Sequence, residues 1–381
     1  MPRPLFCTTK SMDVGDLRTH PTDGLCDVLL LDIQLQDIDS SNDTNGNTHL
    51  SQLKLYAQSS THTKCGINFD HSTPRRPDVR QKVLSLLDDL WHHHVMFYGA
   101  LDGLYGDDTD PLDIVSFMRE ILSYKHARFD SSVYVYAFAG ITVLITVSND
   151  PINMFVTYVR DLFSQALVDV LVYQTSYRPP IQCVANGPAP WSFQLGTHQS
   201  SIVGSAVVRS KINIPPGKVE MFTSSLCAIK TKFQIEATLS TELKMGRDTS
   251  CLASDMDSVT NYTCPNAPDA SHVYRKSVHQ IHEIYKWKEP ATGGNSYYYI
   301  LVYDTEETLA VKVCRATKDI GFKGGWVLRD LPCGFIQSCQ HNSAHQGLLK
   351  RVILTKSYLH EGYFNDSCPT YGNMTGSSDE E

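Results

Sequence analysis

The sequence predicts an α+β fold, an antiparallel sheet flanked by helices, followed by a second half rich in strands. Three observations carry the prediction. Val133 to Val147 is an unbroken run of β-branched and aromatic residues with Gly140 at its middle, which reads as a strand pair bending at the glycine. Asn149-Asp150-Pro151 follows, a turn with Asp150 as helix N-cap and Pro151 at the first helical position. From Ile152 to Tyr173 apolar residues recur at three- and four-residue steps, the period of an amphipathic helix packed on a sheet.

The elements on either side are read by the same rules. Val28 to Leu31 is a short apolar run suited to a buried strand, and Leu53 to Tyr56 is a partner strand beyond the polar stretch Asp39 to Asn47. Val79, Val83, Leu86, Leu87, Leu90 and Trp91 mark a helix ending at His92-His93-His94, whose imidazoles suit the negative end of a helix dipole. Val95 to Ala100 is a strand, Asp102-Gly103 a turn, Leu104-Tyr105 a return strand, and Asp110-Pro111 opens a helix to Tyr124. Tyr177 to Pro190 turns to Pro, Gly and Asn, as a linker does. Strand-type runs then cover Ile202 to Ile214, Val219 to Ile229 and Lys232 to Leu243, with a long loop over Gly246 to Ser271 and a helix over His272 to Lys286. Tyr297 to Tyr303 and Thr308 to Cys314 form a hairpin, and Trp326 to Leu328, Gly334 to Ile336 and Arg351 to Leu354 are further strands. The expected organisation is a flexible segment 1–24, an α/β domain 25–176, a β-rich region 191–371 of one or two domains, and an acidic disordered tail 372–381.

With 381 residues, 41% of them hydrophobic, the chain can bury a large core. A net charge of −8 removes the electrostatic footprint of a nucleic-acid binder. No apolar run reaches the roughly 18–20 residues of a membrane span, and the polar segment after the N-terminus does not read as a secretion signal. The eleven cysteines are an odd number without paired short spacings, so reduced thiols and a cytoplasmic setting, peripheral at membranes, are expected. Sequons begin at Asn42, Asn261, Asn365 and Asn373, acceptors that serve no purpose without secretion.

Candidate chemistry is sparse. Cys333, Cys339, His341 and His345 place two thiolates and two imidazoles within thirteen residues, a donor set that suits zinc, although the spacing lacks a short knuckle and ordinary core cysteines are the commoner explanation. His279, His282 and Glu283 would share one helical turn as a metal or base site. Tyr105-Gly106-Asp107-Asp108 matches a polymerase metal-binding tetrapeptide but lacks its framework, and a capped loop explains it. Neither a phosphate-binding glycine loop nor a nucleophile elbow occurs, so no catalytic residue is assigned and no cofactor other than zinc at the Cys/His set is expected.

The order of strand Val95 to Ala100, turn Asp102-Gly103, return Leu104-Tyr105, helix Pro111 to Tyr124, hairpin Val133 to Val147 and helix Ile152 to Tyr173 resembles a longin domain, as in vesicle-coat adaptor subunits and tri-longin proteins. The resemblance is one of element order, without a residue motif. It implies a non-enzymatic interaction subunit of a trafficking or small-GTPase-regulating complex. Its partners would be other protein subunits, a small GTPase or a second longin fold, recognised through the helix face carrying Phe155, Val159, Leu162 and Phe163. Two other readings stand beside it: a structural or host-interacting protein of a virus, and a zinc-stabilised module or metal-dependent enzyme built on Cys333 to His345.

Overall fold

The computed structural model describes residues 3–12, 21–33, 49–70, 73–101, 111–128, 135–141, 150–164, 168–175, 191, 201–227, 229–233, 251–255, 271–275, 279–288, 296–332, 344–361 and 368–370. Strands β1 (Leu5–Thr9), β2 (Val28–Ile33), β3 (Lys64–Phe69), β4 (Val95–Ala100), β5 (Tyr136–Ile141), β6 (Val170–Tyr173) and β7 (Val219–Ser225) pair in sequence order. A five-stranded antiparallel sheet then intervenes, made of β8 (Ile229–Phe233), β9 (Cys251–Asp255), β10 (Ser271–Arg275), β11 (Gln280–Lys288) and β12 (Ser296–Tyr303) in the order β10-β11-β12-β8-β9. Strand β13 (Gly325–Arg329) returns between β7 and β1 and closes a barrel of eight parallel strands.

Helices fill the crossovers: α1 (His49–Ser59), α2 (Pro77–His92), α3 (Pro111–Arg128), α4 (Asp150–Ser164), α5 (Ile202–Arg209), α6 (Glu306–Lys318) and, after β13, α7 (Ala344–Glu361). The architecture is a (β/α)8 barrel with an antiparallel sheet inserted between its seventh strand and the helix that leads to its eighth. This corrects the expected longin-like antiparallel sheet. The two differ in the sense of strand pairing, which a list of elements in order does not determine.

Sequence forces this arrangement because the strands are apolar on both faces, as strands covered on both sides must be. Phe6, Val28, Leu30, Phe97, Leu101, Phe138, Val170, Val172, Met221 and Val327 form one buried cluster, the barrel interior. Their sequence neighbours Leu5, Cys7, Leu29, Leu31, Ile67, Tyr98, Leu171, Tyr173, Trp326 and Leu328 join the apolar helix faces in a second. Inside, Phe97 stacks on Tyr136 at 4.5 Å and meets Phe6 edge-on at 5.6 Å, so the barrel holds an aromatic plug. Gly140 does not bend a hairpin. It lies inside the single strand β5, where a Cβ would fall 1.7 Å from the Leu101 carbonyl oxygen, so only glycine lets β5 approach β4 there.

Several local expectations change for identifiable reasons. The long helix over Ile152 to Tyr173 ends at Ser164, and Val170–Tyr173, buried at every position, is strand β6. Leu53 to Tyr56 belongs to α1 rather than to a strand. Ile202 to Arg209 is helical because the Ser201 hydroxyl accepts the Gly204 N–H as a cap. Thr308 to Cys314 is helical because Thr305 and Thr308 form a reciprocal capping box. His272 to Lys286 is the hairpin β10–β11, and Arg351 to Leu354 lies within α7. Residues 1–24 include β1, a full member of the barrel. Leu104-Tyr105, Gly334 to Ile336 and the tail 372–381 lie outside the described residues.

The expectation of reduced thiols is also corrected, since Cys7 is bonded to Cys26 and Cys314 to Cys368. Among the described residues buried Cys65 is a free cysteine, so an odd count does not exclude disulfides. No helix among the described residues is long and apolar enough to cross a membrane.

Two polar anchors hold the ends of the chain to the barrel. Asp304, just after β12, is fully buried with Lys312 of α6, whose Nζ lies 2.6 and 2.8 Å from its two oxygens, while Arg351 of α7 donates to the Asp304 carbonyl at 3.1 Å. Burial pushes the Asp304 carboxyl up and the Lys312 ammonium down, each against the pull of the other. Removing one partner strands the other charge, so Lys312→Met is expected to cost about 3–5 kcal/mol in chemical denaturation, and the double variant with Asp304→Asn to recover part of it.

At the opposite end Asp27 accepts from the Leu5 N–H at 2.7 Å, from Lys356 Nζ at 2.9 Å and from His360 Nε2 at 2.9 Å. Burial opposes its ionisation, but the Leu5 N–H and the Lys356 and His360 charges outweigh it and hold the carboxyl below its ordinary value. A depressed carboxyl stabilises the fold above its unfolded value, near pH 4, and that contribution is lost as pH falls through the folded value. Stability measured from pH 7 down to 2 should therefore fall less steeply below about pH 4 in Asp27→Asn than in the parent.

Candidate functional site

In a parallel barrel the side chains that follow the packed layers of each strand emerge at the C-terminal mouth, where (β/α)8 proteins place their sites. The inward alternation that puts Phe6, Leu30, Phe97, Val172, Met221 and Val327 in the plug continues upward to Thr8, Asp32, Asn68, Leu101, Gln174, Thr223, Ser225 and Arg329. The interior is thus apolar below and polar at the mouth. Thr8, Asn68, Gln174, Thr223 and Ser225 are buried, whereas Asp32 and Arg329 are half-buried, with Asp32 Oδ2 and Arg329 Nε themselves buried.

Asn68 is the central link on one side. Its Nδ2 donates to Asp32 Oδ1 at 2.7 Å across the β2–β3 pair, and its Oδ1 accepts the Leu101 N–H at 2.7 Å from the end of β4. One amide therefore fixes the Asp32 carboxylate and satisfies the backbone where β4 ends. The far side is tied separately. Thr223 Oγ1 accepts the Thr175 N–H at 2.9 Å, and the Thr175 hydroxyl donates to the Thr223 carbonyl. Ser225 donates to Asp330 Oδ2 at 3.1 Å and accepts the Cys227 N–H at 3.1 Å, while Thr8 Oγ1 accepts the Asp330 N–H at 3.1 Å. Asp330 has φ of 61°, a left-handed backbone position at the exit from β13, and Lys10 Nζ lies 3.9 Å from its carboxylate. The mouth is a ring of hydroxyls, amides and two half-buried charged side chains, suited to hydrogen-bonding a polyhydroxylated or amide-bearing ligand.

The residues singled out from sequence lie elsewhere. Val159, Leu162 and Phe163 of α4 are buried in the core between helices and barrel, and Phe155 belongs to the same helix. Cys333, Cys339 and His341 lie outside the described residues, and His345 falls in the first turn of α7. Among the described residues no cluster of three or more His, Cys, Asp or Glu could hold a metal ion. His282 and Glu283 lie in strand β11 and not in a helix, which removes the shared helical turn. His279 is buried at the turn into β11, its Nε2 2.7 Å from Arg315 Nη1 and its ring 5.8 Å from Trp191. Tyr105 to Asp108 lie outside the described residues.

Sequence reasoning missed Asp32, Asn68, Gln174 and Arg329. Their signal is a polar residue closing an apolar strand run, as in Leu29-Leu30-Leu31-Asp32 and Trp326-Val327-Leu328-Arg329, which becomes meaningful once the strands are parallel.

No protein-family model and no curated protein sequence matches the chain. Solved structures do. Over 93% of its length the chain superposes on the cell-surface-expressed multi-modular chitinase ChiW of a Paenibacillus species, with TM-score 0.60 and 12% identity, spanning 33% of that longer chain. It superposes equally widely on a glycoside hydrolase family 18 chitinase from Cycas revoluta, solved with (GlcNAc)4, with TM-score 0.58, 10% identity and 99% of that chain covered. A family 18 N-acetylglucosaminidase from Paenibacillus barengoltzii gives TM-score 0.56 at 10% identity, again over 99% of its chain. The fold is therefore one that glycoside-cleaving enzymes carry. It replaces the longin resemblance and, with it, the trafficking-subunit reading, which rested on that resemblance alone.

Asn68→Ala removes the acceptor for a buried N–H as well as the bond to Asp32. The variant is expected to lose about 2–4 kcal/mol in chemical denaturation and to speed hydrogen exchange at the Leu101 amide.

Proposed function

We propose that this chain takes an oligosaccharide of the N-acetylglucosamine class into the C-terminal mouth of its barrel, on a glycoside-hydrolase scaffold. The observation that carries the reading is the polar ring of Asp32, Asn68, Gln174, Thr223, Ser225 and Arg329 set on an apolar plug. Such a mouth offers hydroxyl and amide partners at its rim and no path through the barrel, so a sugar chain lies across it. The superposition on chitinases, among them a Cycas revoluta enzyme in complex with (GlcNAc)3, supports the ligand class. In this reading the Asp32 carboxylate, oriented by Asn68, accepts hydrogen bonds from sugar hydroxyl or acetamido N–H groups.

A second reading, hydrolysis of that oligosaccharide, is favoured by the half-buried Asp32 carboxylate held by an amide donor. The common route needs two carboxyl groups about 5–9.5 Å apart flanking the scissile bond, whereas family 18, to which the similar structures belong, is an exception in which the substrate itself assists. The inward positions of β4, Phe97 and Gly99, and Leu101 just beyond it carry no acid.

Calorimetric titration with chitotetraose tests the first reading, and chromatography of the incubated sugar the second. The parent should bind, and Asp32→Asn should bind at least tenfold more weakly while keeping the parent's melting temperature within a few degrees. Absence of heat at millimolar sugar would overturn the proposed ligand class. Shortened products formed by the parent and lost in Asp32→Asn would establish hydrolysis, whereas binding with the tetramer recovered intact would leave recognition alone.

A further inference from the structure

We propose that this chain matures in an oxidising, glycosylating compartment, where its disulfides close and its sequon asparagines accept N-linked glycans. Cys7 in β1 is bonded to Cys26 in the segment entering β2, and Cys314 of α6 is bonded to Cys368 beyond α7. Cys227, just after β7, is disulfide-bonded as well. Among the described residues the free cysteine is Cys65, buried in β3, and burial pushes its thiol up to about 12, far from the thiolate form that reacts. Setting Cys65 aside leaves ten of the eleven cysteines, an even number suited to complete pairing.

The placement of the bonds argues for structure rather than redox chemistry. Cys7, Cys26 and Cys314 are buried, out of reach of thiols in solvent. One bond pins the first barrel strand and the other pins the chain beyond the last barrel strand, so the two secure both ends of the closed barrel. Such bonds form and persist outside the reducing cytosol. The four sequons Asn42-Asp43-Thr44, Asn261-Tyr262-Thr263, Asn365-Asp366-Ser367 and Asn373-Met374-Thr375 acquire a purpose in that compartment. All four lie outside the described residues, and their role rests on the acceptor motif together with the disulfides.

The test is mass spectrometry of the full chain isolated from its native cells. Denatured without reductant and alkylated, it should take one label, at Cys65, and ten more after reduction. Treatment with a peptide N-glycosidase in heavy-oxygen water should lower the intact mass and convert one or more of Asn42, Asn261, Asn365 and Asn373 to labelled Asp. Alkylation of all eleven cysteines without reductant would overturn the oxidising setting. An unchanged mass after the glycosidase would overturn the glycosylation.

Discussion

Everything in this molecule depends on closure of the barrel by β13, which pairs with β1 through Leu5, Phe6 and Cys7 opposite Trp326, Val327 and Leu328. The pairing joins residues more than three hundred apart, after a detour through the inserted sheet. Loop-closure entropy grows only slowly with length, so the detour is tolerated if the closing contacts are strong. They are: Trp326 is fully buried, donates its indole N–H to Ser224 at 3.0 Å, and packs edge-on against Phe222 at 5.8 Å. Arg3 adds a side-chain bond to Thr317 at 2.7 Å just ahead of the closing strand. The Cys7–Cys26 bond then fixes β1 itself.

Closure also explains the buried ion pair. The chain leaves the inserted sheet at Tyr303 and must enter α6 in the one orientation that delivers β13 to its slot. Asp304 meets Lys312 from α6 and, through its carbonyl, Arg351 from α7, so a single residue orients both helices that flank the closing strand. Loss of either charge would leave the other buried and unpaired, so the junction tolerates few single changes.

Much of the local structure was legible in the sequence, and the topology was not. Helices α2 and α3 announce themselves through Pro77 and Pro111 at their starts and apolar residues at helical spacing, and β2, β4 and β7 through short apolar runs. The failures share a cause. Val170–Tyr173 extends the helical period of α4 by coincidence and is a strand because both its faces are covered. Thr308 to Cys314 is rich in residues that suit strands, yet two threonine hydroxyls capping each other's backbone decide for helix. In each case tertiary burial or one cap outweighs propensity, and neither can be read from periodicity. Without parallel pairing, nothing in the sequence marks the polar residues at the strand ends as one group.

The contrast between plug and mouth gives the barrel its functional direction. Phe6, Phe97 and Tyr136 pack together in the interior, and the strands pass from that plug to Asn68, Gln174 and Thr223 within one or two inward positions. Buried amides and hydroxyls are costly unless paired, so each of these groups is committed to a neighbour, as Asn68 is to Asp32 and Leu101. Asp32 and Arg329 are the half-buried members of that ring. The barrel supplies the frame, and Asn68 supplies the orientation of Asp32 on which the proposed sugar recognition rests.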